Sequence, residues 1–267
     1  MMLPDGKKTA RQRLIIAELA LSPTVRTSAL AQQLGVSTET VRRDIEELTR
    51  QGLVSRTYGG ATGRQVGMQP EFANREEEAV AERDAIAWAA VALVRPGDVV
   101  MIDSGSTTAR FAQALAAREV PVTVITNGFA VAGAFRRNDL FRVMVCPGQF
   151  IAREQGVYGS ETCSFLQRFF ADIAFIGASG LTDEGPTEVE TEACAVKRTM
   201  LARAERRILL IDFSKFHRRH FEVVCPLSVL SDIVADRVPE GTLAERLSEN
   251  GVTFHAGISG ETATSTP

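Results

Sequence analysis

Apolar positions recur every three or four residues through the first sixty residues, and later gather into short runs of four or five separated by longer amphipathic stretches. This pattern predicts helices first and a sheet interleaved with helices afterwards. "RQRLIIAELAL", Arg11 to Leu21, reads as a helix with Ile15, Ile16 and Leu19 inward, stopped by Ser22-Pro23. Thr27 is placed to cap a second, short helix that buries Leu30, Ala31 and Leu34, and Gly35 supplies the left-handed residue that ends it. Only Val36 then precedes Ser37, the next candidate cap, so the two helices must cross steeply. The third helix, "TETVRRDIEELTRQ", buries Val41, Ile45 and Leu48 and leaves Glu39, Thr40 and Arg43 outward, with Arg42 on the flank. Gly52 ends it, and "LVSRTYGGA" has the alternation and glycines of a short hairpin.

After a stretch of glycines, polar residues, Pro70 and the charged run Arg75 to Glu78, the pattern changes. A buried helix, Val80 to Val94, is followed by the Pro96-Gly97-Asp98 turn and a strand, Val99 to Ile102. A helix from Thr107 to Ala117 comes next, and further strands are expected at Val122 to Thr126, Phe141 to Val145, Ile173 to Ile176, Arg207 to Ile211 and Asp232 to Ala235. Short Val- and Ile-rich strands alternating with helices indicate a mostly parallel α/β sheet covered on both faces. The expected organisation is a winged helix-turn-helix over residues 1–62, a linker over 63–78, an α/β domain over 79–256 and a disordered tail over 257–267.

Composition narrows what such a chain does. With 267 residues, 45% hydrophobic and 24% charged, it is long enough for a small and a medium domain. The longest apolar run, Ala85 to Val94, is about half of a membrane span, and no apolar signal core follows the basic N-terminus, so a cytoplasmic protein with no membrane partner is expected. Cys146, Cys163, Cys194 and Cys225 are widely spaced and read as reduced thiols. His217 and His220 fall in "KFHRRH", read as an exposed basic loop, and together with His255 show no metal spacing, so neither a metal nor a cofactor is expected. Residues 1–62 carry nine basic and six acidic side chains, a balance of +3, while the whole chain is at -3. A basic first segment ahead of an acidic remainder points to a polyanion as the partner of the first.

The third helix supplies the chemistry for double-stranded DNA. Ser37, Thr38 and Thr40 can meet base edges in the major groove, and Arg42 or Arg43 can grip a guanine or a phosphate. Arg56 and Tyr58 on the wing suit the sugar-phosphate backbone or the minor groove. Arg26, Thr27, Glu39, Gly59 and Gly60 complete the candidate surface. The competing reading is a three-helix protein-interaction module whose arginines are only solvated.

In the second domain the strand ends deliver small, hydroxylated or cationic groups. Asp103-Ser104-Gly105-Ser106-Thr107-Thr108 follows one strand and opens a helix, so its hydroxyls, backbone N–H groups and helix dipole can hold a phosphate. Thr126-Asn127, Pro147-Gly148, Gly177-Ala178-Ser179 and Asp212-Phe213-Ser214-Lys215 follow four others. Together with Lys197 they form the candidate effector site, suited to a phosphorylated sugar or polyol.

"STETVRRDIEELTRQGLVSRTYGGA", Ser37 to Ala61, closely resembles the helix-turn-helix signature of the DeoR family of bacterial transcriptional regulators, with Tyr58 where a histidine is more usual. "DSGSTT", "TNG", "ADIAFIGASGL", "EACAVKRTML" and "DFSKF" stand in the order of that family's effector domain, with Pro147-Gly148 at a site often Gly-Gly and an unusually acidic "DEGPTEVETEA". The resemblance implies a fold like that of ribose-5-phosphate isomerase and the CoA-transferases. It also implies a repressor of a carbohydrate or polyol catabolic operon, a homodimer or tetramer on operator DNA, gated by a phosphorylated sugar or polyol. Isomerases of that fold carry an Asp-Gly-Ala-Asp-Glu run and a Glu-Lys pair. Here Ile176-Gly177-Ala178-Ser179-Gly180 and Val196-Lys197 stand in their place, so the base is missing unless Glu188, Glu190 or Glu192 substitutes. Lys215 would orient the ligand. An isomerase-like enzyme carrying a DNA-binding domain and a ligand-independent DNA-binding protein are the alternatives.

Overall fold

The structure, a computed structural model, describes residues 24–50, 54–57, 60–63, 71–136 and 139–257, together with positions 8, 10–12, 14, 15, 18 and 19. Ile16, the Ser22-Pro23 stop, Gly52, Tyr58, Gly59, residues 64–70 and the tail from 258 onward lie outside the described residues. The chain divides into two compact units, Met1–Met68 and Gln69–Pro267.

In the first unit the described positions between 8 and 19 are helical. They are followed by β1 (Thr24–Arg26), α1 (Thr27–Leu34), α2 (Thr38–Arg50), β2 (Val54–Thr57) and β3 (Gly60–Gly63). Ile15, Leu19, Leu30, Ala31, Val41, Ile45, Leu48 and Val54 close into one core, which the helical spacing dictates. Gly35 ends α1 at φ +63°, and the N–H of Val36 reaches the Ala31 carbonyl at 3.1 Å, so the tight turn is a left-handed cap. The Ser37 hydroxyl accepts the Thr40 N–H at 3.1 Å and starts α2. Asp44 is buried on the inner side of α2, where Arg11 grips it through two guanidinium nitrogens and so raises its own pKa.

Two expectations need correction here. Thr27 is the first residue of α1 rather than its cap; Arg26 holds the cap position without a side-chain bond, because residues 24–26 are already extended as β1. The wing is also not a bare hairpin. Its strands run in the order β1-β3-β2, with Arg26 paired to Gly60. Gly60 is buried, and any side chain there would overlap the Val25 carbonyl, so strand packing accounts for this glycine.

The second unit opens with α3 (Phe72–Glu76), α4 (Val80–Val91), β4 (Val99–Ile102), α5 (Ser106–Ala117), β5 (Thr123–Thr126), α6 (Phe129–Ala134) and β6 (Arg142–Val145). A hairpin, β7 (Gln149–Ile151) and β8 (Gly156–Tyr158), leads through α7 (Ser160–Leu166) to β9 (Ala171–Ile176). Then come β10 (Gly180–Leu181), β11 (Pro186–Glu188), α8 (Thr191–Ala202), β12 (Ala204–Leu210), β13 (Glu222–Val223), β14 (Asp232–Ala235), α9 (Thr242–Glu249) and β15 (Thr253–Ala256). Seven strands form one sheet in the order β15-β14-β12-β9-β4-β5-β6, and every pairing in it is parallel. Residues alternate between its faces: Val100, Ile102, Phe175 and Ile208 enter one core, and Met101, Ala174, Ile176 and Leu209 enter the other. Phe111 of α5 lies on Phe175 with ring centroids 4.2 Å apart.

The last part of the expected linker is folded. Phe72 of α3 is buried among Ile86, Ala87 and their neighbours, apolar area that a solvated linker would not offer. The loop read as exposed is partly buried as well: Phe216, Arg218 and His220 are covered, because Thr187 of β11 donates to the Arg218 carbonyl and accepts the His220 N–H. Cys146, Cys194 and Cys225 are buried free thiols, and Cys163 is half-buried. Gly257, expected in the tail, donates to the Ala235 carbonyl at 2.8 Å.

Candidate functional site

On the first unit, Ser37, Thr38, Glu39, Arg42 and Arg43 are exposed along the N-terminal half of α2. Glu39 holds both arginines: the Arg42 Nε at 3.1 Å and the Arg43 Nε at 3.2 Å, with Glu46 3.9 Å from Arg42. The Ser37 and Thr40 hydroxyls share a hydrogen bond of 2.8 Å. Arg26 is exposed and Thr27 half-buried. Arg56 lies in β2, and nothing of its side chain is described. Because Glu39 neutralises the cations that would face a polyanion, Glu39→Gln is expected to tighten binding to random-sequence DNA about three- to tenfold and to steepen its salt dependence. Anisotropy titrations against salt concentration check this, and an unchanged slope would contradict it.

On the second unit the strand order reverses between the parallel neighbours β4 and β9, whose successors run outward to opposite edges. Such a switch point opens a crevice beyond the carboxyl ends of the strands. A partly open cavity lies there, lined by Arg75, Ser104, Gly105, Ser106, Thr107, Glu154, Tyr158, Gly177, Ala178, Glu188, Glu190, Ala193, Lys197 and Lys215. The loop after β4 starts α5 at Ser106, so the first N–H groups of a twelve-residue helix belong to Ser106, Thr107 and Thr108. The Ser106 and Thr107 hydroxyls are buried and have no hydrogen-bond partner.

The cavity is electrostatically balanced. Lys197 is buried against Asp103, in a hydrogen-bonded ion pair, and 3.4 Å from Glu188. Burial alone would discharge it, but the two carboxylates raise its pKa well above the ordinary lysine value and keep it charged. Burial pulls Glu188 upward, yet Lys197, the Ser179 hydroxyl and the Val189 N–H hold it below the usual glutamate value. Lys215 is placed differently. Its Nζ donates to the Ala178 carbonyl at 2.9 Å and lies 3.9 Å from Asp212, and burial brings its pKa down to about 8. Tyr158 shares a 2.5 Å hydrogen bond with the Ser104 hydroxyl, and burial pushes its phenol up to about 12.

Seven of the expected effector residues therefore line the cavity: Ser104, Gly105, Ser106, Thr107, Gly177, Lys197 and Lys215. The other six build its walls. Asp103 accepts the Gly177 N–H at 3.2 Å and anchors Lys197. Thr108 donates to the Asp103 and Gly105 carbonyls, at 2.9 and 3.0 Å, and closes the loop. Thr126 accepts the Gly128 N–H at 3.0 Å, and Asn127 clasps Ser104 N–H at 3.0 Å and the Val157 carbonyl at 3.1 Å. Ser179 donates to Glu188. Gly148 lies against Tyr158, where a side chain would overlap Thr162 and the Tyr158 carbonyl. Sequence reasoning missed Arg75, Glu154 and Tyr158, which reach the cavity from α3 and the β7–β8 hairpin. Glu188 carried a signal, its place in an unusually acidic run after a strand end.

A recognition helix with a wing, in a chain whose second unit holds a small-molecule cavity, defines a DNA-binding regulator with a sensor domain. The signature described as "DeoR-like helix-turn-helix domain" matches residues 11–64, and that described as "DeoR C terminal sensor domain" matches residues 78–237. The chain belongs to the DeoR family and is a transcriptional repressor, not an enzyme. The HTH-type transcriptional repressor CsqR of Escherichia coli (strain K12) is 31% identical to it, over 84% of this chain and 85% of the relative. The glycerol-3-phosphate regulon repressor of the same organism is 26% identical, over 92% and 98%. The HTH-type transcriptional repressor GlcR of Bacillus subtilis (strain 168) is 30% identical, over 85% and 88%. Among solved structures, ribose 5-phosphate isomerase A from Methanocaldococcus jannaschii aligns with a TM-score of 0.38 at 21% identity, over 50% of this chain and 53% of that one. Among the described residues, no helix is long and apolar enough to cross a membrane.

Proposed function

We propose that the chain represses a carbohydrate or polyol catabolic operon in the cytoplasm and that a phosphorylated sugar or polyol in the cavity of the second unit alters its affinity for the operator. The observation that carries this reading is the pair of buried, unpartnered hydroxyls of Ser106 and Thr107 at the N-terminus of α5. Together with the backbone N–H groups and Lys215 they offer a dianion the donors it lacks once out of water. Carboxylates such as Glu188 and the Tyr158 phenol suit the hydroxyls of a polyol. One relative is named for a glycerol-3-phosphate regulon, in keeping with such an effector. DNA is read by Ser37, Thr38, Thr40, Arg42 and Arg43, with Arg26, Thr27, Glu39 and the wing residues Arg56, Tyr58 and Gly59 beside them, while Gly60 serves the packing of the wing. Residues 1–62 form the reading domain, the sensor begins with α3 at Phe72, and a homodimer or tetramer supplies enough contacted base pairs.

Thr107→Val tests the cradle. It should leave operator affinity unchanged and weaken the phosphorylated effector about 10- to 100-fold, the value of a hydrogen bond to a charged group. Calorimetric titration of wild type and variant with phosphorylated trioses to hexoses measures this, and equal affinities would count against the cradle. The pH profile gives a second check. Lys215 titrates near 8 in the free protein, and a bound dianion raises that value, so the charged form is the one that binds. Affinity should be highest between about pH 6 and 8 and fall above that by up to about tenfold per unit. Below about pH 6 it should fall again as the phosphate takes a proton.

A further inference from the structure

The first element of the second unit is α3, and it follows the residues that lead out of the first. Three observations tie it to the cavity. Arg75, only 7% exposed, sends its guanidinium to Glu154, and both side chains line the cavity. The carbonyl of Arg75 is held by the buried Arg83 of α4, whose guanidinium lies 4.0 Å from Asp212, at the head of the turn that carries Lys215. Between α3 and α4 the chain passes through Ala79 at φ +48°, a left-handed conformation that an alanine adopts only under constraint. Arg83 Nε and the Asp212 Oδ2 that faces Arg83 have no hydrogen-bond partner, so this contact is an incomplete one.

We infer that Arg75 transmits occupancy of the cavity to the segment leading to the DNA-binding unit: an oxyanion takes its guanidinium from Glu154, and α3 moves about the Ala79 joint. This rests on the sensor reading above. A dianion is a stronger partner for the planar fork than a single carboxylate, so the exchange runs toward the ligand. Glu154, half-buried and already pushed upward by desolvation against the pull of Arg75, takes a proton from solvent once its cation leaves. Because Phe72 is anchored in the core and Arg83 grips the other end, displacement of Arg75 rotates α3 instead of melting it. The Ala79 joint is where the backbone absorbs that rotation.

The test uses the full chain, inorganic phosphate at constant ionic strength and a DNA duplex that the chain itself selects from random sequence. Phosphate binding is read by calorimetry, α3 by amide exchange over residues 72–79, and the output by duplex affinity. In wild type, phosphate should change the exchange of residues 72–79 and the duplex affinity, each by at least about fivefold. Arg75→Gln should still bind phosphate, within about tenfold, through the α5 cradle and Lys215, but neither of the other readouts should respond. Glu154→Gln, which releases Arg75, should show without phosphate the exchange and duplex affinity of phosphate-bound wild type. The inference is overturned if Arg75→Gln responds as wild type does, or if Glu154→Gln without phosphate is indistinguishable from unliganded wild type. Wild type that binds no phosphate at all defeats the sensor reading, and this inference with it, a result distinct from failure of the variants alone.

Discussion

Lys197→Met should destabilise the second unit by about 3–5 kcal/mol at neutral pH, a large share of the total for any domain. The lysine is buried between Asp103 and Glu188, and its removal leaves two carboxylates without a cation in a place where water cannot screen them. Both carboxylates then have folded-state pKa values above those in the unfolded chain. The cost is thus largest at high pH and shrinks as pH falls through the raised values, because protonation removes the buried charge. In wild type the two carboxylates differ: Glu188 sits below its ordinary value and loses that contribution on acidification, whereas burial holds Asp103 above its own despite Lys197. Urea melts of variant and wild type from pH 4 to 8 should converge at the acid end, and a difference that stays constant with pH would contradict the account.

The second large effect is expected in DNA binding. Arg43→Ala should weaken binding to the selected operator about 10- to 100-fold, the range for loss of a bidentate base contact. The Arg43 side chain is 76% exposed and pairs with the exposed Glu39 on the helix surface, so thermal stability should change little. Salt dependence separates the two roles an arginine can have. If Arg43 reads a base, the salt slope stays and discrimination against a mutated operator falls. A phosphate contact instead lowers the slope by about one and weakens all sequences alike. Unchanged operator affinity would place the recognition surface elsewhere on the first unit.

The two sites were legible in the sequence to different degrees, for physical reasons. Helix caps and strand ends are local, so the Gly35 turn, the Ser37 cap and the order of β4, β5, β6, β9, β12 and β14 follow from side-chain periodicity and from residues within a turn of one another. β15, with the sequence "TFHA", has no run of Val and Ile to mark it, and strands of two or three residues such as β1, β10 and β13 are too short for a period-two pattern to show. "DSGSTT" declared its phosphate-holding chemistry because a helix N-terminus creates that chemistry by itself. It did not say which hydroxyls face inward: Ser106 and Thr107 do, while Thr108 turns to the carbonyls behind the loop. Arg75, Glu154 and Tyr158 gave no signal, since they meet the cradle only after the hairpin and α3 fold back over the sheet. Lys197 and Asp103 are 94 positions apart, and their pairing follows only from the neighbouring positions of β4 and β9.

The central claim is that occupancy of the cavity changes the grip on DNA. The measurement that tests it most directly is the affinity of the full chain for its selected duplex at constant ionic strength, with and without each member of a panel of phosphorylated trioses, tetroses, pentoses and hexoses. The account predicts that at least one of them shifts the affinity about 5- to 150-fold in wild type, that none does so in Thr107→Val at the same concentration, and that the sugar phosphate is recovered unconverted. A duplex affinity that no phosphorylated sugar or polyol alters, or a ligand that is turned over, would contradict it.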